Sequence, residues 1–98
     1  MYAVVRRYEG ASPRFADEGI RQINEGLLPI ISQVPGFVAY YAFDAGGGVV
    51  SSVSIFDNQA GAEESNRRAA DWVRQNLSEM VPNPPQVTAG QVLTHKGK

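Results

Sequence analysis

Residues 37–56 read FVAYYAFDAGGGVVSSVSIF, and this stretch decides the fold. β-Branched and aromatic residues dominate Phe37–Asp44 and Val49–Phe56, which is typical of β-strands. Between them, Ala45–Gly48 contains three consecutive glycines, and glycine readily adopts the backbone angles of a tight hairpin turn. The stretch therefore predicts two antiparallel strands joined by a hairpin. A phosphate-binding loop is disfavoured, because the glycines lead into a strand and not into a helix N-terminus.

An amphipathic helix is predicted on each side of this hairpin. Upstream, Ser12 and Pro13 are a typical N-cap and first helical residue, and apolar residues then recur at three-to-four spacing. Pro29 falls inside this pattern, so we expect a kink or a restart of the helix there. Downstream, Asp57 or Asn58 caps a second helix. The apolar face of that helix consists of Ala62, Ala69, Ala70, Val73, Leu77 and Met80.

Two outer segments complete the pattern. Tyr2–Glu9 reads as the first strand, and Gln86–His95 reads as the fourth strand after the extended connector Pro82–Pro85. The order β-α-β-β-α-β predicts a ferredoxin-like α+β domain, with a four-stranded antiparallel sheet and two helices on one face. Right-handed crossovers place the strands in the order fourth, first, third, second. We expect residues 1–98 to form a single domain.

The predicted strands are apolar on both faces. In the second strand, simple alternation separates two apolar sets, which are Phe37, Ala39, Tyr41 and Phe43 on one face and Val38, Tyr40 and Ala42 on the other. A sheet with one face in water should instead alternate apolar and polar residues. Because the two helices cover only one face, the other face would expose a large apolar patch. We therefore predict a homodimer in which the open sheet faces of two chains pack together.

Charge and composition argue against several function classes. The net charge is −1, and the two lysines, Lys96 and Lys98, lie at the C-terminus, so we expect no nucleic-acid partner. The chain has no cysteine, which excludes disulfides and a thiol nucleophile. No apolar run approaches about 20 residues, so no membrane association is expected. The N-terminus lacks a basic region ahead of an apolar run, and we expect a cytoplasmic location.

Three segments carry a resemblance to a known family. They are Val4–Gly10 (VVRRYEG), Pro35–Tyr41 (PGFVAYY) and Ser54–Asp57 (SIFD), which leads into the second helix. In these segments the chain resembles the antibiotic biosynthesis monooxygenase-like group of the dimeric α/β-barrel superfamily. The resemblance implies a ferredoxin-like protomer, a homodimer and a pocket between helices and sheet. Members include cofactor-independent oxygenases of aromatic substrates, haem-degrading enzymes and many proteins of unknown role.

The haem-degrading branch provides a test of cofactor use. That branch pairs a tryptophan and an asparagine with a proximal histidine on the second helix. Here the helix contains Asn66 and Trp72 but no histidine, and the one histidine of the chain is His95, near its end. Haem would lack its axial ligand, so we expect no haem and no other cofactor. A metal site is not expected either, because the acidic residues fall mainly on outer helix faces.

The second helix supplies two candidate ligand-pocket residues. Asn66 falls on the sheet-facing side of the helical wheel, where an amide must be hydrogen-bonded or cost a few kcal/mol. Asn66 is therefore either a structural tie to the backbone or the lining of a wet ligand pocket. Trp72 lies on the shoulder of the same face. It could stack on a planar ligand, or pack at the edge of the core or at a dimer interface.

The strands supply the other candidates, which are Arg6, Arg7, Tyr8, Tyr40, Tyr41, Ser52 and Ser54. Arginine beside tyrosine fits an oxygenase that deprotonates a phenolic substrate and holds its anion without a cofactor. Alternatively, the tyrosines simply fill the sheet faces and the arginines pair with Glu9 or with a partner chain. The small serines leave room either for a ligand or for partner side chains. No catalytic residue is assigned.

Two function classes remain open after this reasoning. The first is a cofactor-independent monooxygenase that acts on a small apolar or aromatic ligand. The second is a non-catalytic dimeric module that binds a ligand or stabilises a complex. The enzyme hypothesis requires Asn66, one tyrosine and one arginine to converge on one cavity, whereas dispersed side chains would favour the module.

Overall fold

The structure is a computed structural model that describes residues 1–98. Its strands are β1 (Tyr2–Tyr8), β2 (Phe37–Gly46), β3 (Val49–Phe56) and β4 (Gln86–Gln91). The first helical region runs through a 3-10 turn (Pro13–Ala16), α1 (Glu18–Gln22), a π turn (Ile23–Leu27) and α2 (Leu28–Ile31). The second helix is α3 (Gln59–Asn76).

The four strands form one antiparallel sheet in the order β2-β3-β1-β4. This is the predicted ferredoxin-like arrangement, and the α+β fold class is confirmed. The predicted fourth strand is too long, because β4 ends at Gln91 and pairing stops after the Val92 N–H donates to the Met1 carbonyl at 2.9 Å. His95 therefore lies beyond the sheet and not at the end of a strand. No helix is long and apolar enough to cross a bilayer.

The irregularity expected at Pro29 is a π turn. The Leu28 N–H donates to the Ile23 carbonyl, five residues back, so the helix widens by one residue just before the proline. Pro29 then occupies the first turn of α2, where a missing N–H is tolerated. Within the π turn, Gly26 lies against the indole of Trp72, because a Cβ on Gly26 would lie 2.7 Å from Trp72 Cζ2. The first helical region and α3 are thus packed face to face at a glycine–tryptophan contact.

We expect Gly26→Ala to destabilise the protein by about 1–3 kcal/mol, although alanine is the better helix former. The added methyl group would overlap the stiff indole ring, so helix and tryptophan must move apart. Thermal unfolding measures the loss. Gly97→Ala is the matched control, since nothing lies within 4 Å of a Cβ there. In a Trp72→Leu background the penalty should shrink, and an undiminished penalty would show that the contact is not its cause.

One face assignment in β2 is wrong, because a β-bulge interrupts the alternation at Val38. The register jumps from Phe37 opposite Phe56 to Ala39 opposite Ile55. Phe37 therefore shares the helix-covered face with Phe56, and their rings meet edge to face with centroids 5.7 Å apart. Strict alternation had grouped Phe37 with the open face. A bulge adds one residue to a strand, so the residues before it face the side of the sheet opposite to the one that simple alternation predicts.

The hydrophobic core lies between the sheet and the helices, where Ile31, Phe56 and Leu77 are fully buried. The opposite sheet face has no cover from the chain itself. Tyr41 is 64% exposed and Phe43 is 53% exposed on that face. The structure thus retains the apolar open face that the sequence predicts.

Candidate functional site

Arg6 is the unusual residue of the helix-covered sheet face. Strand alternation in β1 turns Val4, Arg6 and Tyr8 toward the helices, and all three are buried. Arg6 lies opposite Ser52 in the central strand pair and is only 4% exposed. A buried arginine in a central strand is costly unless something compensates its charge.

The partners of Arg6 are neutral. Its Nη1 donates to Asn66 Oδ1 at 2.6 Å, and its Nη2 donates to the Tyr8 hydroxyl oxygen at 2.6 Å. The guanidinium also lies 5.6 Å from the centre of the Tyr8 ring, within the range of a cation–π contact. None of the ion pairs in the structure includes Arg6. Arg6 therefore carries a buried positive charge with no carboxylate beside it.

This arrangement leaves donors free. Asn66 and Tyr8 both accept from Arg6, so the Asn66 amide N–H groups and the Tyr8 hydroxyl hydrogen remain to be donated elsewhere. No hydrogen bond of the structure uses either of them as a donor, and no fully enclosed side-chain polar atom lacks a partner. The Asn66 amide nitrogen therefore reaches open space. Tyr8 lines the same space, and its hydroxyl keeps a hydrogen to donate. Together with Arg6 they form a set of groups suited to a ligand oxygen.

The open space is a cleft of about 510 Å³ between α3, the start of β4 and the connector that joins them. We call it the Arg6 cleft. Its lining residues are Arg6, Tyr8, Asn66, Ala70, Val73, Arg74, Ser78, Val81, Pro82, Asn83, Pro84, Pro85 and Val87. Two arginines line it, and no aspartate, glutamate or histidine does. Its volume lies within the range of about 300–1,000 Å³ that is usual for small-molecule sites.

A smaller internal cavity of about 30 Å³ lies behind the cleft. Eleven of its fifteen lining residues are hydrophobic, and Tyr40, Ser52 and Ser54 also line it. Arg6 and Tyr8 line both spaces, so they form part of the wall between them. The internal cavity is too small for an aromatic ring, so of these two spaces the Arg6 cleft is the one that could take a ring.

The structure divides the candidate residues into two groups. Six lie at the cleft or the internal cavity, namely Arg6, Tyr8, Tyr40, Ser52, Ser54 and Asn66. The other three lie elsewhere. Arg7 pairs with Glu9 at 2.9 Å, Tyr41 lies exposed on β2, and Trp72 packs on Gly26.

Sequence reasoning missed the connector as a wall of the cleft. Residues 82–85 were treated only as an extended link, yet all four line the Arg6 cleft. Asn83 Nδ2 donates to the Glu9 carbonyl at 3.2 Å and so ties the connector to the end of β1. The three prolines of this link were the available signal, because they give a stiff segment whose position one hydrogen bond can set.

Tyr40 is a partly buried ionisable group that lines the internal cavity together with Arg6 and Tyr8. Burial raises the pKa of Tyr40 above its ordinary value, and the nearby Tyr8 adds to that rise. The Ser52 hydroxyl and the positive charge of Arg6 oppose the rise without cancelling it. Tyr40 is therefore a neutral hydroxyl at neutral pH and acts as a hydrogen-bonding group and not as an anion.

Alkaline titration should show one tyrosine that ionises above the ordinary pH of about 10. Folding favours the neutral phenol of Tyr40, so its contribution to stability is complete below the unfolded pKa and is lost as pH rises through the folded pKa. Ultraviolet absorbance of ionised tyrosine measures the step, and Tyr40→Phe should remove it. The same variant should also lose less stability at high pH. A late step that persists in Tyr40→Phe would contradict the assignment.

Solved structures share this fold over nearly the whole chain. A protein of unknown function from Nitrosomonas europaea is 21% identical, covers 99% of this chain and 93% of its own, and superposes with a TM-score of 0.74. A monooxygenase of Streptomyces coelicolor, solved with the ligand nanaomycin D, is 18% identical, covers 96% and 92%, and gives 0.69. A structure described as an antibiotic biosynthesis monooxygenase is 16% identical, covers 96% and 100%, and gives 0.70.

These neighbours define the fold of the chain. It is the ferredoxin-like fold of the antibiotic biosynthesis monooxygenase-like structures, so the resemblance drawn from the sequence is confirmed at the level of the fold. No family model and no curated protein matches the chain. Identities this low do not carry activity from one protein to another, and function must be argued from the site.

Proposed function

We propose that this protein binds a small aromatic ligand in the Arg6 cleft. The observation that supports this is the convergence of Arg6, Tyr8 and Asn66 on one cleft of ligand size, as the enzyme hypothesis requires. Apart from Arg74, Ser78 and Asn83, apolar side chains and the prolines of the connector line the rest of the cleft, which favours a flat, largely apolar molecule. The ring lies against these surfaces, and an oxygen of the ligand meets the donors.

As an enzyme, the protein is a cofactor-independent monooxygenase of a phenol. The substrate loses its hydroxyl hydrogen and one ring hydrogen and becomes a quinone. One atom of dioxygen forms the new ring carbonyl and the other leaves as water with those two hydrogens, so the substrate supplies all four electrons. Arg6 stabilises the phenolate that forms on the way, because its charge is buried and has no competing carboxylate. The ligand of the Streptomyces coelicolor structure supports an aromatic substrate class.

A non-catalytic binding module is the second candidate, and one observation favours it. No aspartate, glutamate or histidine lines the Arg6 cleft, so no ordinary general base is within reach of a bound phenol. A phenol would then have to ionise by giving its proton to water. If this step is too slow, the same cleft holds the ligand without transforming it.

Oxygen uptake with hydroxylated naphthalenes separates the two candidates. Turnover with formation of the quinone supports the monooxygenase, and calorimetric binding without oxygen uptake supports the module. In either case, Arg6→Met should weaken binding, whereas Arg14→Met, at an exposed arginine that lies outside the cleft and off the open sheet face, should not. Absence of binding by every aromatic probe would contradict the ligand site itself.

We further propose that the working form is a homodimer joined through the open sheet faces. Val5, Val53 and Ile55 are half-buried on this face, and Tyr41 and Phe43 are exposed beside them. An apolar surface of this extent on a twisted sheet is typical of an interface. A second copy of the same face is a self-complementary cover for it.

At micromolar concentration the protein should sediment at twice the 10.6 kDa mass of the chain. Phe43→Lys should shift the equilibrium toward the monomer, because it places a charge in the proposed apolar contact. Gln75→Lys on the exposed face of α3 is the control and should leave the mass unchanged. Analytical ultracentrifugation reads both. A wild-type monomer at that concentration would contradict the proposal.

A further inference from the structure

We infer that the ligand of the Arg6 cleft carries a carboxylate, so that the natural ligand is an aromatic acid. This inference rests on the proposed ligand site and adds the chemical class of the ligand. It holds for both the enzyme and the binding module, since it concerns recognition alone.

The first reason is charge. The chain carries ten acidic and nine basic residues, yet the cleft is lined by two arginines and by no acidic residue. Arg74 is held by Asp71 on the exposed side of α3, so its charge is partly neutralised outside the cleft. Arg6 has no such partner and is almost fully buried. An anion in the cleft would supply the missing counter-charge.

The second reason is the direction of the hydrogen bonds. Asn66 turns its carbonyl oxygen toward Arg6, and Tyr8 turns its oxygen lone pair toward Arg6. Their N–H and O–H groups are thereby left for the cleft, and the Arg6 wall of the cleft offers only donors. A neutral alcohol or amine needs an acceptor as well, whereas a carboxylate offers two oxygens that only accept. The geometry thus distinguishes an oxyanion from a neutral polar group.

The third reason is the shape of the site. The wall formed by Arg6, Tyr8 and Asn66 lies where the cleft meets the internal cavity. The remainder is mainly apolar, lined by Ala70, Val73, Val81, Val87 and the prolines of the connector, together with the polar Arg74, Ser78 and Asn83. A flat ring with one carboxylate on its rim fits this division. The volume of about 510 Å³ leaves room for one or two fused rings.

Three probes of one shape test the inference, namely naphthoate, naphthalenemethanol and naphthylmethylamine. Calorimetric titration of the wild-type protein should show naphthoate binding about tenfold or more tightly than the neutral alcohol, since charge-assisted bonds are roughly twice as strong as neutral ones. The amine should bind most weakly. Naphthol, measured across its own ionisation, shows whether a phenolate can replace the carboxylate.

Substitutions of single arginines test whether Arg6 causes the preference for naphthoate. Arg6→Met should remove the preference for naphthoate over the alcohol, and Arg6→Lys should restore part of it. Arg14→Met should change it little, because Arg14 is exposed, pairs with Glu18 and does not line the cleft. If alcohol and acid bind equally to the wild-type protein, the inference is overturned and the ligand site stands. If none of the probes binds, the ligand site falls and the inference falls with it.

Discussion

Arg6→Met should make the protein more stable while weakening ligand binding. Methionine is shorter than arginine but roughly similar in volume and uncharged, so the cost of burying a guanidinium with no carboxylate beside it disappears. Replacing buried charges with apolar side chains of similar volume is often neutral or stabilising by about 1–4 kcal/mol. The two acceptors left behind, on Asn66 and Tyr8, border the cleft, and water can reach them there. Chemical denaturation of the two proteins measures the difference.

Two further variants test whether the gain in stability comes from removing the buried charge of Arg6. Arg14→Met removes an arginine that pairs with Glu18 on the surface, away from the open sheet face, and it should leave stability nearly unchanged. Arg6→Lys keeps the positive charge but replaces the planar guanidinium with an ammonium group, and it should not stabilise the protein. A loss of more than about 1 kcal/mol in Arg6→Met would mean that Arg6 is a structural residue. That result would contradict the hypothesis that the buried charge of Arg6 serves to bind a ligand.

Asn66→Asp should lower the charge of the site by one unit, as Arg6→Met does, and should likewise weaken ligand binding. The change is nearly isosteric and places a carboxylate oxygen where Asn66 Oδ1 lies, 2.6 Å from Arg6 Nη1. The new carboxylate should then neutralise the charge of Arg6 within the protein, and it should also repel an anionic ligand. We expect naphthoate binding to weaken by about tenfold or more, while the alcohol is little affected.

Stability of this variant should depend on pH in a defined direction. Arg6 would hold the pKa of the new carboxyl below its unfolded value, so the added stability is present above the unfolded pKa and is lost as pH falls through the folded one. Denaturation at several acidic pH values measures this. Asn66→Ala is the control, and its stability should change little, because water in the cleft can replace the lost oxygen. A large loss in Asn66→Ala would identify Asn66 as a structural tie.

Most of the fold could be predicted from the sequence because the signals for it are local. The glycine hairpin, the Ser12-Pro13 helix start and the alternation of β1 are each set by neighbouring residues, and all three appear in the structure. The bulge at Val38 has no such signal, since valine is ordinary in a strand. Pro29 predicts an irregularity in the helix, but a proline alone does not specify that the irregularity is a π turn.

The site was harder to predict because it depends on contacts between distant residues. Simple alternation in β1 places Val4, Arg6 and Tyr8 on one face, but only the packed helices show that this face is the covered one. The helical wheel left open whether Trp72 stacks on a ligand, packs at the edge of the core or lies at a dimer interface. In the structure it packs at the edge of the core, against Gly26, which lies 46 positions earlier in the chain. The missing carboxylate beside Arg6 is a property of the packed structure and has no counterpart in the sequence.

A crystal structure of the protein with bound naphthoate would test the central claim most directly. The predicted result is a single ligand in the Arg6 cleft, with its carboxylate within hydrogen-bonding distance of Arg6 and of the Tyr8 hydroxyl or the Asn66 amide. The ring should lie along the prolines of the connector. Naphthoate found on the open sheet face with the cleft empty, or in the cleft with its carboxylate turned away from Arg6 into solvent, would contradict it.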